Sequence, residues 1–198
     1  MFLNTAGFKR LLKEAWRTSG LTVWNNDGVI HIFGTYWKLI ADYKNITPAI
    51  KAAVIELVDE FPDTGEAYTA RKDEGQQLIM PETVSHLFAH TGNEETQKLT
   101  RLTYQLNGRM YRIIQSEATA KCRLISENIV KALSSDAIEE DEDAPFGATT
   151  KLDNGVLMWR NTKMVFLAFM VMESDETRER AGELLDTLSA LNNDAIEI

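Results

Sequence analysis

The sequence predicts an α+β chain of antiparallel sheet with packed helices, in which two pseudo-repeated β-β-β-α units are each preceded by a helix. Three observations carry this reading. The turn pairs Asp27-Gly28, Asn107-Gly108 and Asn154-Gly155 tolerate positive φ, and each separates two apolar runs, as in a tight hairpin. Apolar residues recur at helical spacing behind the cap residues Thr47 and Ser174. A shift of 127 residues lays 28–61 on 155–188 without a gap, with seven identities in 34 positions.

The elements follow in order. Asn4 or Thr5 caps a helix over 5–19, with Phe8, Leu11, Leu12, Ala15 and Trp16 on one face and Gly20 as its stop. Strands 21–25 and 29–33 flank Asp27-Gly28, and a third strand runs over 35–43. Thr47 caps the next helix and Pro48 occupies its first turn, where a missing N–H costs nothing. Ile50, Val54, Leu57, Val58 and Phe61 form its buried stripe, and Pro62 ends it. A hairpin of 67–72 with 76–80 precedes a short helix opened by Pro81. Strands 99–106 and 109–114 pair across Asn107-Gly108, and Ser116 caps a helix to about 133 carrying Ala118, Cys122, Ile125, Ile129 and Leu133. After an acidic loop over 135–147 come the second hairpin, the strand 164–172 and a helix with Ala181, Leu184, Leu185, Leu188 and Leu191. The chain divides at 1–92 and 93–198, or forms one continuous domain.

The 127-residue shift matches features as well as letters. Gly28 meets Gly155, Thr35 meets Thr162, the cap Thr47 meets the cap Ser174, and Glu56-Leu57-Val58-Asp59 falls on Glu183-Leu184-Leu185-Asp186. The order helix, three strands, helix, two strands over the first 80 or so residues resembles that of the small acidic secretion chaperones.

Charge narrows the partners. Of the net −9, six charges belong to Asp136, Glu139, Glu140, Asp141, Glu142 and Asp143, which leaves a body near −3. A broad basic nucleic-acid footprint is therefore not expected, and the acidic run is a solvated loop, a contact for a basic partner or a mimic of a phosphate backbone. The longest apolar run is about half a membrane span. A single Cys122 excludes an internal disulfide and makes a cytoplasmic setting the expectation.

Catalytic signatures are absent. His86 and His90 stand four apart on the helix after Pro81 and are the weak metal candidates, but the sequence between them lacks the Glu of the zinc-peptidase motif. Glu56 with Asp59 and Glu183 with Asp186 read as solvated helical faces, and Cys122 as a small buried hydrophobe. No glycine-rich phosphate loop occurs, and no cofactor is implied. Tyr36 and Lys38 in the first sheet, with Arg101, Arg109 and Arg112 around the middle hairpin, form the alternative set for stacking and neutralising single-stranded nucleic acid.

The two units differ at one strand. Lys38, Ile40 and Asp42 predict a partly solvated side in the first, where the second carries Val165, Leu167 and Phe169. That second strand needs a cover on both faces. The expected function is a non-enzymatic protein-binding factor, an adaptor, chaperone or inhibitor. It would meet another protein, or a second copy of the chain, through the acidic run and the Val165-Leu167-Phe169 strand. An accessory factor of a phage or mobile element acting on a host nucleic-acid-handling complex fits the size and charge. A metal-dependent hydrolase using His86 and His90 is the third reading.

Overall fold

Gly7 N–H donates to Asn4 Oδ1 at 3.0 Å, and this cap opens α1 (Thr5–Arg17). The computed structural model describes residues 2–80, 94–134, 146–151, 155–171 and 175–191. Phe8, Leu11, Leu12 and Ala15 are buried, as the stripe predicts, and each Phe or Leu so placed contributes about 1.5–3 kcal/mol. Then come β1 (Leu21–Asn26), β2 (Val29–Phe33) and β3 (Trp37–Asp42), and α2 (Pro48–Val58), where Ile50 N–H donates to Thr47 Oγ1 at 3.4 Å. They are followed by β4 (Ala67–Arg71), β5 (Gly75–Ile79), β6 (Glu94–Leu106), β7 (Arg109–Ser116), β8 (Cys122–Ser126) and the single turn α3 (Glu127–Val130). The remainder is β9 (Phe146–Lys151), β10 (Val156–Arg160), β11 (Met164–Phe169) and α4 (Asp175–Ser189).

The eleven strands among the described residues join one antiparallel sheet in the order β5-β4-β1-β2-β3-β11-β10-β9-β6-β7-β8. The mixed α/β class with a large antiparallel sheet is thus as the sequence predicts. The two halves meet at β3 and β11, where Leu39 faces Phe166. The hairpins β2–β3 and β10–β11 share one register: Val29 pairs Asp42, and Val156 pairs Phe169, each 127 residues further on. Gly28 and Gly155 enter them at φ 84° and 66°.

One sheet face carries α1 and α2. Phe8 meets Trp37 edge-on at 5.4 Å, Trp37 stacks on Phe166 at 6.1 Å, and Leu39, Leu157 and Trp159 complete the core. The opposite face receives α4, where Ala181 packs with Ile113, Cys122 and Leu124. Leu184 and Leu191, expected in that helix's stripe, are exposed.

Two expectations are corrected here. The segment 116–133, predicted as one helix ahead of the second unit, is the end of β7, a turn, β8 and α3. Leu124 and Ile125 are consecutive and both buried, one against α4 and the other in the main core, an arrangement natural to a strand and its two faces. Ala120 at φ 58° ends any helix before it could form. The second correction is Lys38, expected on a solvated side and found 3% exposed.

Candidate functional site

The face of the sheet turned away from α1 and α2 carries a buried row that crosses six strands. Register sets Thr22, Phe33, Lys38, Leu167, Met158 and Thr149 side by side, all at 8% exposure or less. The next row holds Trp24, His31, Ile40 and Val165, each half-buried. Val165, Leu167 and Phe169 belong to this face, where they cluster with Ile40, Val156 and Met158.

Lys38 is the unusual member of the row. Its ammonium lies 5.4 Å from the Phe33 ring centroid and 6.0 Å from that of Trp24, and no acid pairs with it among the described residues. Burial pushes the amine below its usual range. His31 stacks on Trp24 at 4.6 Å, and its Nδ1 is buried without a hydrogen-bond partner. Burial, with a smaller contribution from the Lys38 charge, lowers the imidazole to about 4, so His31 is neutral at physiological pH.

The nucleic-acid set is not brought together. Tyr36 is exposed just before β3, and three strands, β11, β10 and β9, lie between β3 and β6. Lys38 is enclosed, so it cannot reach a phosphate at the surface. Arg101 and Arg109 are exposed on β6 and β7. Arg112 instead grips Glu127 with both arms, at 3.0 and 2.7 Å, and donates to the Thr100 carbonyl at 3.2 Å. That part-buried pair ties β7 to α3 and was not legible in the sequence, where fifteen residues separate the partners.

Asp136, Glu139, Glu140, Asp141, Glu142 and Asp143 lie outside the described residues, as do His86 and His90. No group of three metal-ligating side chains occurs among the described residues. Glu56, Asp59, Glu183 and Asp186 are exposed. Cys122 is buried on β8, and burial raises its thiol above the usual range, so it is not poised as a nucleophile.

A different feature, missed in the sequence, lies at the sheet's end. β5 is its terminal strand and pairs with β4 on one side. Its residues Gly75–Ile79 include no charge, and Leu78 is 67% exposed. At the other end β8 is partly capped, because Val171 N–H donates to the Leu124 carbonyl at 2.8 Å. No helix among the described residues is long and apolar enough to cross a membrane.

A scan of protein-family models finds no match, and a search of curated proteins finds none either. Among solved structures, the chain is similar to the DNA polymerase III beta chain of Streptococcus pneumoniae TIGR4. The TM-score is 0.37 at 9% identity, over 91% of this chain and 67% of that one. A putative DNA polymerase III beta subunit from Eubacterium rectale gives 0.38 at 9% identity over the same shares. The beta subunit from Thermotoga maritima gives 0.34 at 11% identity, over 91% of this chain and 66% of its own.

Proposed function

We propose that this chain is a non-enzymatic protein-binding factor that receives an extended segment of another protein along β5. The carrying observation is the uncharged strand at the sheet's end, paired on one side only among the described residues, with Leu78 in solvent. Edge strands of this kind offer unpaired backbone groups, and proteins that do not use them blunt them with lysine, proline or bulges. An added strand would gain backbone hydrogen bonds, and Leu78 would supply an apolar contact beside them.

The finer form of this reading is an adaptor, chaperone or inhibitor of a nucleic-acid-handling complex, with the acidic run at 135–147 steering a basic partner. An origin by duplication of a β-β-β-α unit belongs with it. The equal registers of the two hairpins, and the meeting of Leu39 with Phe166 at the offset that equates them, support that origin.

The test is reconstitution with a partner recovered by crosslinking in the native host and then purified. Leu78→Lys should keep the circular dichroism and unfolding midpoint of the parent while weakening the complex by about tenfold or more. Amide exchange at 75–79 should slow in the complex. Unchanged affinity together with unchanged exchange would refute the reading.

A further inference from the structure

Strands β6, β7 and β8 and the turn after β7 line an open-mouthed pocket of about 360 Å³, formed by Glu95, Gln97, Ser116, Thr119, Lys121 and Arg123. Register explains the gathering. Gln97 stands opposite Ser116, and Arg123 opposite Ile114, so the period of two turns Gln97, Ser116 and Arg123 to one face, with Glu95 two residues back along β6. The turn closes over them: the Thr119 N–H and hydroxyl both donate to Ser116 Oγ, at 2.9 and 2.8 Å, and Ser116 in turn donates to the Glu95 carboxylate.

Two features of this cavity are left open by the fold itself. Gln97 is 4% exposed, yet its carboxamide has no hydrogen-bond partner among the described residues although it lines the cavity. Its amide atoms keep access to water through the pocket, so an entering ligand can take the place of that water. Second, Glu95 and Arg123 line one cavity without pairing with each other. The carboxylate takes the Ser116 hydroxyl, and the guanidinium touches the Met170 sulfur at 3.9 Å, with no acid on it among the described residues.

An occupant with one charge would meet a like charge on the wall. A simple anion faces Glu95, and a simple cation faces Arg123 and Lys121. We propose that the cavity binds a small zwitterion of the α-amino-acid class. Its ammonium sits on the free lone pairs of Glu95 and its carboxylate on the unpaired N–H groups of Arg123, while Gln97 hydrogen-bonds the polar atoms between. The volume is at the small end of ligand cavities, which suits a molecule of this size. The site is separate from β5 and stands whether or not that edge binds protein.

The test uses the full chain, labelled with nitrogen-15, and the twenty common α-amino acids added singly at about 10 mM, where millimolar affinity is visible. At least one should shift the amide resonances of 95–97 and 116–123 saturably. The N-acetyl derivative of that amino acid, which lacks the ammonium, and its carboxamide, which lacks the carboxylate, should each bind about tenfold more weakly or worse. Arg123→Gln and Gln97→Leu should abolish the shifts. Thr119→Val, at an exposed position, should weaken them and serves if Gln97→Leu fails to fold. No shift with any of the twenty, or equal binding of the blocked derivatives, would overturn the proposal.

Discussion

Leu39 and Phe166 face each other across the β3–β11 ladder, at the seam where the two halves of the sheet join. Both are fully buried, and Phe166 also touches Phe8 at 6.4 Å and Trp159 at 6.2 Å. Phe166→Ala should therefore cost about 3–5 kcal/mol in urea unfolding, and Leu39→Ala about 2–5 kcal/mol. Because the residues are in contact across one ladder, the double variant should deviate from the sum of the two. Additive losses would mean that the seam packs as two independent surfaces.

The Arg112–Glu127 pair should respond asymmetrically. Arg112→Met alone strands a carboxylate that is almost entirely buried, and we expect a loss of about 3 kcal/mol, read as a lower urea midpoint. Lys131, 3.7 Å from the same carboxylate, recovers part of it. Glu127→Leu added to Arg112→Met should restore much of the stability, since no charge then remains to be compensated.

The buried row predicts a pH dependence on each side of neutrality. Burial lowers the Lys38 amine, so between its folded value and 10.5 the unfolded chain binds more protons, and stability rises with pH across that window. Lys38→Met should be more stable than the parent at pH 7, with the gap closing as pH approaches 10.5. His31 works on the acid side. With its folded value near 4 against 6.5 unfolded, stability is intact above 6.5 and falls as pH drops toward 4. In Lys38→Met the imidazole should move up only part of the way, because burial is the larger cause. Proton-detected titration of His31 measures both.

Gly7 reverses the usual effect of a helical glycine. Gly→Ala in a helix interior ordinarily gains about 1 kcal/mol. Here a Cβ would lie 1.9 Å from the Lys131 carbonyl oxygen, which is backbone and cannot swing aside. Gly7→Ala should therefore lower the melting temperature. A rise would show that α1 and the segment after α3 are not in contact.

What the sequence disclosed was local. Turn pairs such as Asp27-Gly28, the Thr47 cap and the α1 stripe involve residues within a few positions, and each stands where the pattern puts it. The burial of Lys38 was illegible because β11 and β10, which flank it on one side, arrive more than a hundred residues later. Cys122, Ile125 and Ile129 are spaced for a helix, and only the free side of β7 makes 122–126 a strand. The candidate surfaces followed the same rule. The edge at β5 exists because of strand order, and the cavity at Gln97 because of register, neither of which periodicity encodes.

The contact around Gly7 also bears on how the chain acquires its shape. Asn4 N–H donates to the Ala132 carbonyl at 2.9 Å, Ser134 N–H donates to the Phe2 carbonyl at 3.1 Å, and Leu3 bridges Leu133. Residues 2–4 are thus partnered by residues some 130 positions later in the chain, which are made after them. Until then Phe2 and Leu3 have no cover from that segment, and α1 lacks the neighbour that Gly7 was shaped to admit. Such long-range closure slows folding and prolongs the exposure of apolar surface. A nascent chain halted near residue 92 would hold its first hairpins with an unfinished core, a natural client for a chaperone during synthesis.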